Sequence, residues 1–164
     1  CFNKAKKFLG QFSMEFEKNF GPLNENVLEA LEQVWEFKLP SSYRDFLLRY
    51  NGGIPVNDTF YFKKDPSSGS IVQLFLGVTP EKHANLLGHL RTYQGRILDT
   101  MFPIAYDPSG NLILLVVKGP DREKVFFWDH ELEADSEWGQ EPNYSNLTLV
   151  ADSFEEFVAN LKFE

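Results

Sequence analysis

The chain of 164 residues can bury a sizeable core as one domain, and its 43% hydrophobic content with 16 phenylalanines sets it apart from disordered chains. Its formal net charge of -8 disfavours direct binding to nucleic-acid phosphates and leaves a basic protein as the complementary partner. A single cysteine, Cys1, excludes an internal disulfide, a zinc ribbon and a CxxC redox site, and no apolar run approaches the roughly 20 residues of a membrane helix.

Cysteine usage of this kind suits a reducing cytosol, so a cytoplasmic location is expected. The chain opens on Cys1 rather than Met. An added or trimmed start is expected there, with a lipidated mature cysteine as the alternative.

Taken in order, Phe8, Leu9, Phe12 and Phe16 recur at helical spacing, with Phe20 a further turn on, and Gly21-Pro22 breaks the pattern. The spacing predicts a helix within residues 2–20, packed on the core or offered to a partner. Val27, Leu28, Leu31, Val34 and Trp35 then share one face of a second helix, which Leu39-Pro40 is expected to end. Ser42 and Asp45 stand as a short capping box before a third helix, whose face carries Tyr43, Phe46, Leu47 and Tyr50. Asn51-Gly52-Gly53 tolerates positive φ and can close it.

Residues 59–62 and 71–76 read as a hairpin around the Asp65-Pro66 turn. Residues 81–99 look helical, although Gly88 and Gly95 weaken the pattern. Residues 101–106 predict a strand that Pro103 confines to an edge or a bulge. Residues 111–117 are apolar on both alternating faces, as in a central strand, and residues 125–128 follow after a Gly-Pro turn. Ser153 and Glu156 cap a last helix bearing Phe154, Phe157, Val158 and Leu161. The expected fold is therefore α+β: an antiparallel meander flanked by N-terminal helices and a C-terminal helix, in one domain over residues 1–164.

The residues carry little chemistry. His83 and His89 are six apart, off the i, i+4 spacing of a helical metal site, and no HExxH, GxSxG, Walker A or GxGxxG pattern occurs. No metal or cofactor is expected. His130 sits among surface acids, where a solvated imidazole is the plain reading and a general base the sharper one. The unusual stretch is Asp129, Glu131, Glu133, Asp135 and Glu137, at every second residue and followed by Trp138. In an extended segment these acids project to one side. They read either as a solvated loop or as a surface complementary to a basic protein, with Trp138 as an aromatic anchor. A second candidate surface is the concave side of the sheet, near Tyr61 and the Asp65–Gly69 turn.

The amphipathic helix, Leu39-Pro40, Tyr43, Phe46, Leu47 and Asn51-Gly52-Gly53 resemble the signature of the SMI1/KNR4, or SUKH, family. Phe102-Pro103-Ile104-Ala105-Tyr106-Asp107 with Gly110-Asn111, then Lys124 to His130 including Trp128, then Ser153 to Phe157, agree in order and spacing. The resemblance implies a SUKH-like fold in which Leu39, Pro40, Tyr43, Phe46, Asn51, Gly52, Gly53, Pro103, Gly110 and Trp128 are fold markers. It also implies a bacterial immunity protein that neutralises a cognate toxin, often a nuclease delivered between competing cells, by direct binding and without catalysis. Fungal members resemble regulators of cell-wall glucan synthesis. An enzyme or small-molecule sensor with a pocket beside Trp35 and Tyr50 is the alternative of another class.

Overall fold

The computed structural model describes residues 13–164. Its first element is a strand, β1 (Phe16–Asn19), where the aromatic spacing predicts a helix. Residues 2–12 of that expectation lie outside the described residues. Sheet pairing overrides helical periodicity here: Lys18 and Asn19 align with Ile54 and Gly53 of β2 (Gly53–Pro55). The Phe16 ring then stacks against Tyr50 at 4.8 Å.

Helix α1 (Glu25–Trp35) is capped by Asn24, whose side chain accepts from the Asn26 N–H. It stops at Trp35, one turn before Leu39-Pro40, because Glu36 turns left-handed at φ 62. The reversal buries Leu39, whose N–H donates to the Glu32 carboxylate at 2.9 Å. Only part of the expected apolar face is covered: Leu28 is buried, while Val27 is 42% and Val34 77% exposed. Glu32 takes the inward position instead and receives Arg44 Nε at 2.8 Å.

Helix α2 (Ser41–Tyr50) carries its predicted core face, but its cap differs. Pro40 holds the N-cap position, which places Ser42 inside the first turn, so no capping box forms. Asn51 ends the helix at φ 53, and Gly52 and Gly53 follow at φ 79 and 138.

The predicted hairpin splits in two. β3 (Thr59–Tyr61) pairs with β4 (Gly69–Ile71) in a separate two-stranded sheet. The chain is then handed on: Val72 N–H donates to Asp58, and Gln73 N–H donates to Tyr106. Thus β5 (Leu74–Phe75) joins the main sheet. The expected helix over 81–99 contracts to a 3₁₀ turn, Lys82–Ala84, and α3 (Leu86–Tyr93), which Asn85 caps. Asn85 is extended, so the turn and the helix do not fuse.

β6 (Met101–Tyr106) lies between neighbours rather than at an edge, and the register slips between Pro103 and Ala105. The bulge accommodates the missing proline N–H. β7 (Leu112–Val116) is buried throughout. β8 (Val125–Trp128), β9 (Leu147–Ala151) and α4 (Phe154–Ala159) complete the chain. Ser153 Oγ caps α4 by accepting the Glu156 N–H at 3.0 Å. β9 had no counterpart in the sequence reading. The order β1-β2-β5-β6-β7-β8-β9, antiparallel at every pairing, makes the fold α+β.

Alternation along β7 divides the interior. Ile113 and Leu115 face the larger core with α2, α4 and the β3–β4 hairpin, where Phe46, Phe75, Phe154 and Phe157 interlock. Leu112, Leu114 and Val116 face a smaller core with Trp128, Ile97 and Met101.

Two outcomes test this packing. A Cβ on Gly52 would lie 2.5 Å from the Phe75 carbonyl oxygen, at a φ that disfavours L side chains. Gly52→Val should lower stability by about 2 kcal/mol or more, and an unchanged melting temperature contradicts the contact. The Tyr43 hydroxyl is buried without a hydrogen-bond partner among the described residues, and burial pushes its phenol far above the ordinary range. Leaving a hydroxyl so costs about 1–3 kcal/mol, so Tyr43→Phe should keep or raise the melting temperature; a clear fall refutes the assignment.

Candidate partner-binding face

The acidic stretch is not extended. Asp129 and Asp135 each fold back to accept a backbone N–H two residues on, from Glu131 and Glu137, at 2.9 Å. These Asx caps start two 3₁₀ turns, His130–Leu132 and Ser136–Trp138, and Gly139 closes the second at φ 74. The five carboxylates therefore do not form one row. Two serve as caps, and Glu133 receives a two-pronged bond from Arg96, Nε at 3.2 Å and NH2 at 2.8 Å. Glu131 and Glu137 remain exposed, with no side-chain partner among the described residues.

Arg96 fastens this strap to the sheet. Its guanidinium lies 4.6 Å from the Tyr93 ring centre and 5.9 Å from that of buried Trp128. Its hydrogen bonds to the Glu133 carboxylate raise its pKa, so the cation persists across the physiological range. The start of the strap is sewn to β9: Asp129 N–H donates to the Asn146 carbonyl, and Asn146 Nδ2 returns a bond to the Asp129 carbonyl at 2.9 Å. Past it, Tyr144 meets Phe126 edge-on at 6.0 Å. Trp138 is not in the core: it is 82% exposed, with Leu132 at 64%.

Beside the strap a cleft of about 600 Å³ lies between the end of α1, α3 and residues 141–142. Trp35, Leu90, Ile97, Leu98 and Met101 form its apolar part. At Gln94, Gly95 and Pro142 it meets a second cleft, of about 590 Å³, lined by Arg96, Glu133, Asp135 and Glu137. The sequence reading named Trp35 but missed the other apolar wall residues, because segments 90–101 and 141–142 converge only through the fold. Tyr50 does not line the cleft. It is 9% exposed in the larger core, and its hydroxyl accepts the Met14 N–H.

Tyr61 and Asp65 fall elsewhere. Both lie on the β3–β4 hairpin, over the opposite core, and not on the main sheet as expected. The Tyr61 hydroxyl bonds the Glu164 carboxylate, which raises its pKa, and Ser67 lowers that of Asp65 by donating to it. The structure thus separates the two candidate surfaces.

The signature residues occupy packing and turn positions. Leu39, Tyr43, Phe46, Asn51 and Trp128 are buried, Pro103 sits at the β6 bulge, and Gly110 takes φ 86 in the β6–β7 turn. His89 stacks on Tyr106, His83 lies 3.6 Å from Glu81, and His130 donates its backbone N–H to Asn111. Among the described residues, no three His, Cys, Asp or Glu side chains gather as a metal site, and no helix is long and apolar enough to cross a membrane.

If Arg96 is the fastening, Arg96→Ala should speed hydrogen exchange of the amides over 130–140 while lowering global stability by about 1 kcal/mol or less. Unchanged exchange there would show that the strap is held by other contacts.

A curated relative, the SPbeta prophage-derived uncharacterized protein YokK of Bacillus subtilis strain 168, is 30% identical, over 98% of this chain and 85% of its own length. Residues 22–160, from just before α1 to the end of α4, match the SMI1 / KNR4 family (SUKH-1). With the family match covering β2 to β9 and all four helices, and the relative aligned over nearly the whole chain, the chain belongs to the SMI1/KNR4 (SUKH-1) family.

Proposed function

We propose that this protein is a non-enzymatic immunity protein that acts in the cytoplasm by binding a cognate toxin, whose contact face is basic. The observation that carries this reading is the strap. It holds Trp138 almost fully in solvent near the carboxylates of Glu131 and Glu137, which have no side-chain partner among the described residues, while Arg96 anchors it through Glu133. An exposed indole on an anchored turn loses little freedom when it enters a partner's pocket. Acids around it attract a basic surface over distance and repel a second copy of a chain of net charge -8. Toxins that cut nucleic acids carry such basic faces, because their substrate is a polyanion. Membership of a family with immunity-type members agrees with this reading, and so does a relative derived from a prophage.

A small-molecule sensor is the second reading, favoured by a cleft whose volume suits a ligand. It ranks behind because the polar residues at that cleft, Arg91, Gln94, Asp99 and Glu141, are exposed and do not converge on a buried point.

The test is co-production with the toxin encoded beside its gene, scoring survival and then binding kinetics. Glu131→Gln with Glu137→Gln should slow association several-fold at low salt and flatten its salt dependence. Glu133 and Asp135 are left intact because they hold the strap together. Trp138→Ala should mainly speed dissociation, by about tenfold or more. Wild-type rates in both variants would place the interface elsewhere, and absence of protection would remove the immunity reading.

A further inference from the structure

We propose that the cleft between the end of α1, α3 and the strap is a docking site for a short segment of a protein partner that pairs an apolar side chain with a neighbouring arginine or lysine. The proposal deepens the reading above and rests on its premise of a basic partner. Its apolar wall is preformed. Trp35 is fixed edge-on against Phe102 at 5.1 Å and stacked on Phe37 at 6.0 Å, so the ring needs no rearrangement to receive a side chain. Ile97 and Met101 are 8% and 4% exposed and belong to the smaller core, so the floor is rigid as well. On α1, Val34, adjacent to Trp35 in sequence, adds an exposed apolar side chain at 77%.

Charge selects the occupant. Asp99 and Glu141 stand at the cleft with no side-chain hydrogen bond or ion pair among the described residues. The adjoining cleft adds Asp135 and Glu137, and its cation, Arg96, is already matched by Glu133. Arg91 is the remaining positive group, so acids are in excess. Such a rim opposes nucleic acid and a second copy of this acidic chain, and it attracts a cation placed beside an apolar side chain. The volume of about 600 Å³ suits a few side chains rather than a whole helix.

The probe is a capped Leu-Arg-Leu tripeptide, titrated into the full chain with methionine methyls and tryptophan indoles observed by NMR. The chain has two methionines, and Met14 packs against the opposite core, so it serves as an internal control. The Met101 methyl and the Trp35 indole should shift saturably at millimolar peptide, with Met14 still. Asp99→Asn combined with Glu141→Gln should weaken the apparent affinity about fivefold while the chain stays folded. Capped Leu-Glu-Leu should bind more weakly than the arginine peptide. Silence at Met101 and Trp35 overturns the proposal, and so does equal binding of the two peptides or of the double variant. A saturable shift together with failed protection from the toxin would keep the docking chemistry and discard the immunity reading. Protection without any shift would discard the cleft and keep the immunity reading.

Discussion

Backbone meets backbone where Asn51-Gly52-Gly53 crosses Phe75-Leu76-Gly77, and most of the chain hangs on that crossing. A Cβ at Gly77 would sit 1.9 Å from the Asn51 carbonyl oxygen, and one at Gly53 would sit 2.2 Å from that of Lys18. Side chains cannot be inserted at such distances, so both glycines are required by proximity, and Gly53 also by its φ of 138. Asn51 completes the joint. Its amide accepts the Val78 N–H and donates to the Val78 carbonyl, both at 2.8 Å, and reaches the Phe20 carbonyl at 3.4 Å. One buried side chain thus links the end of α2, the segment after β1 and the exit from β5. Those backbone groups are partly buried, so the Asn51 side chain supplies partners that solvent reaches only in part.

The joint sets the path of everything that follows. With β2 and β5 held together, the β3–β4 hairpin must loop out, and its Phe60 ring packs onto Phe157 at 5.5 Å. The sheet then runs on as a meander to β9, with a core on each face. The larger core is closed by helices at either end of the chain. The smaller one is closed by Tyr93 at the end of α3 and by Ile97 and Leu98 of the segment after it, with the strap held alongside through Arg96. The clefts lie where α3, the 94–100 segment and the strap meet. The candidate face is therefore a consequence of how the second core is closed.

The Glu32–Arg44 pair, with its carboxylate buried and its guanidinium partly exposed, works in a related way. Glu32 accepts the Leu39 N–H and Arg44 Nε, while Arg44 also reaches Glu25 at 3.4 Å. The carboxylate satisfies the chain reversal after α1 and ties α1 to α2. Such a pair is weak as a source of stability but costly to break on one side, so it specifies the turn more than it strengthens it.

The features legible in the sequence were local. The α2 face, the Asn51-Gly52 stop, the buried β7 run, the Ser153 cap and the aromatic interior are all legible, because each depends on spacing within one element. The family signature is legible for the same reason. The features that emerged only on folding were non-local. The segment holding Phe16 became a strand because β2 lay beside it. Residues 71–76 divided between two sheets because Tyr106 offered an acceptor to Gln73. The acidic stretch kept its exposed tryptophan but lost its straight row of charges, since Asx caps and Arg96 bent it into two turns. The cleft joins Trp35, the 90–101 segment and residues 141–142, which share no periodicity. Contacts between residues so far apart are set by loop closure and packing, which no local pattern encodes.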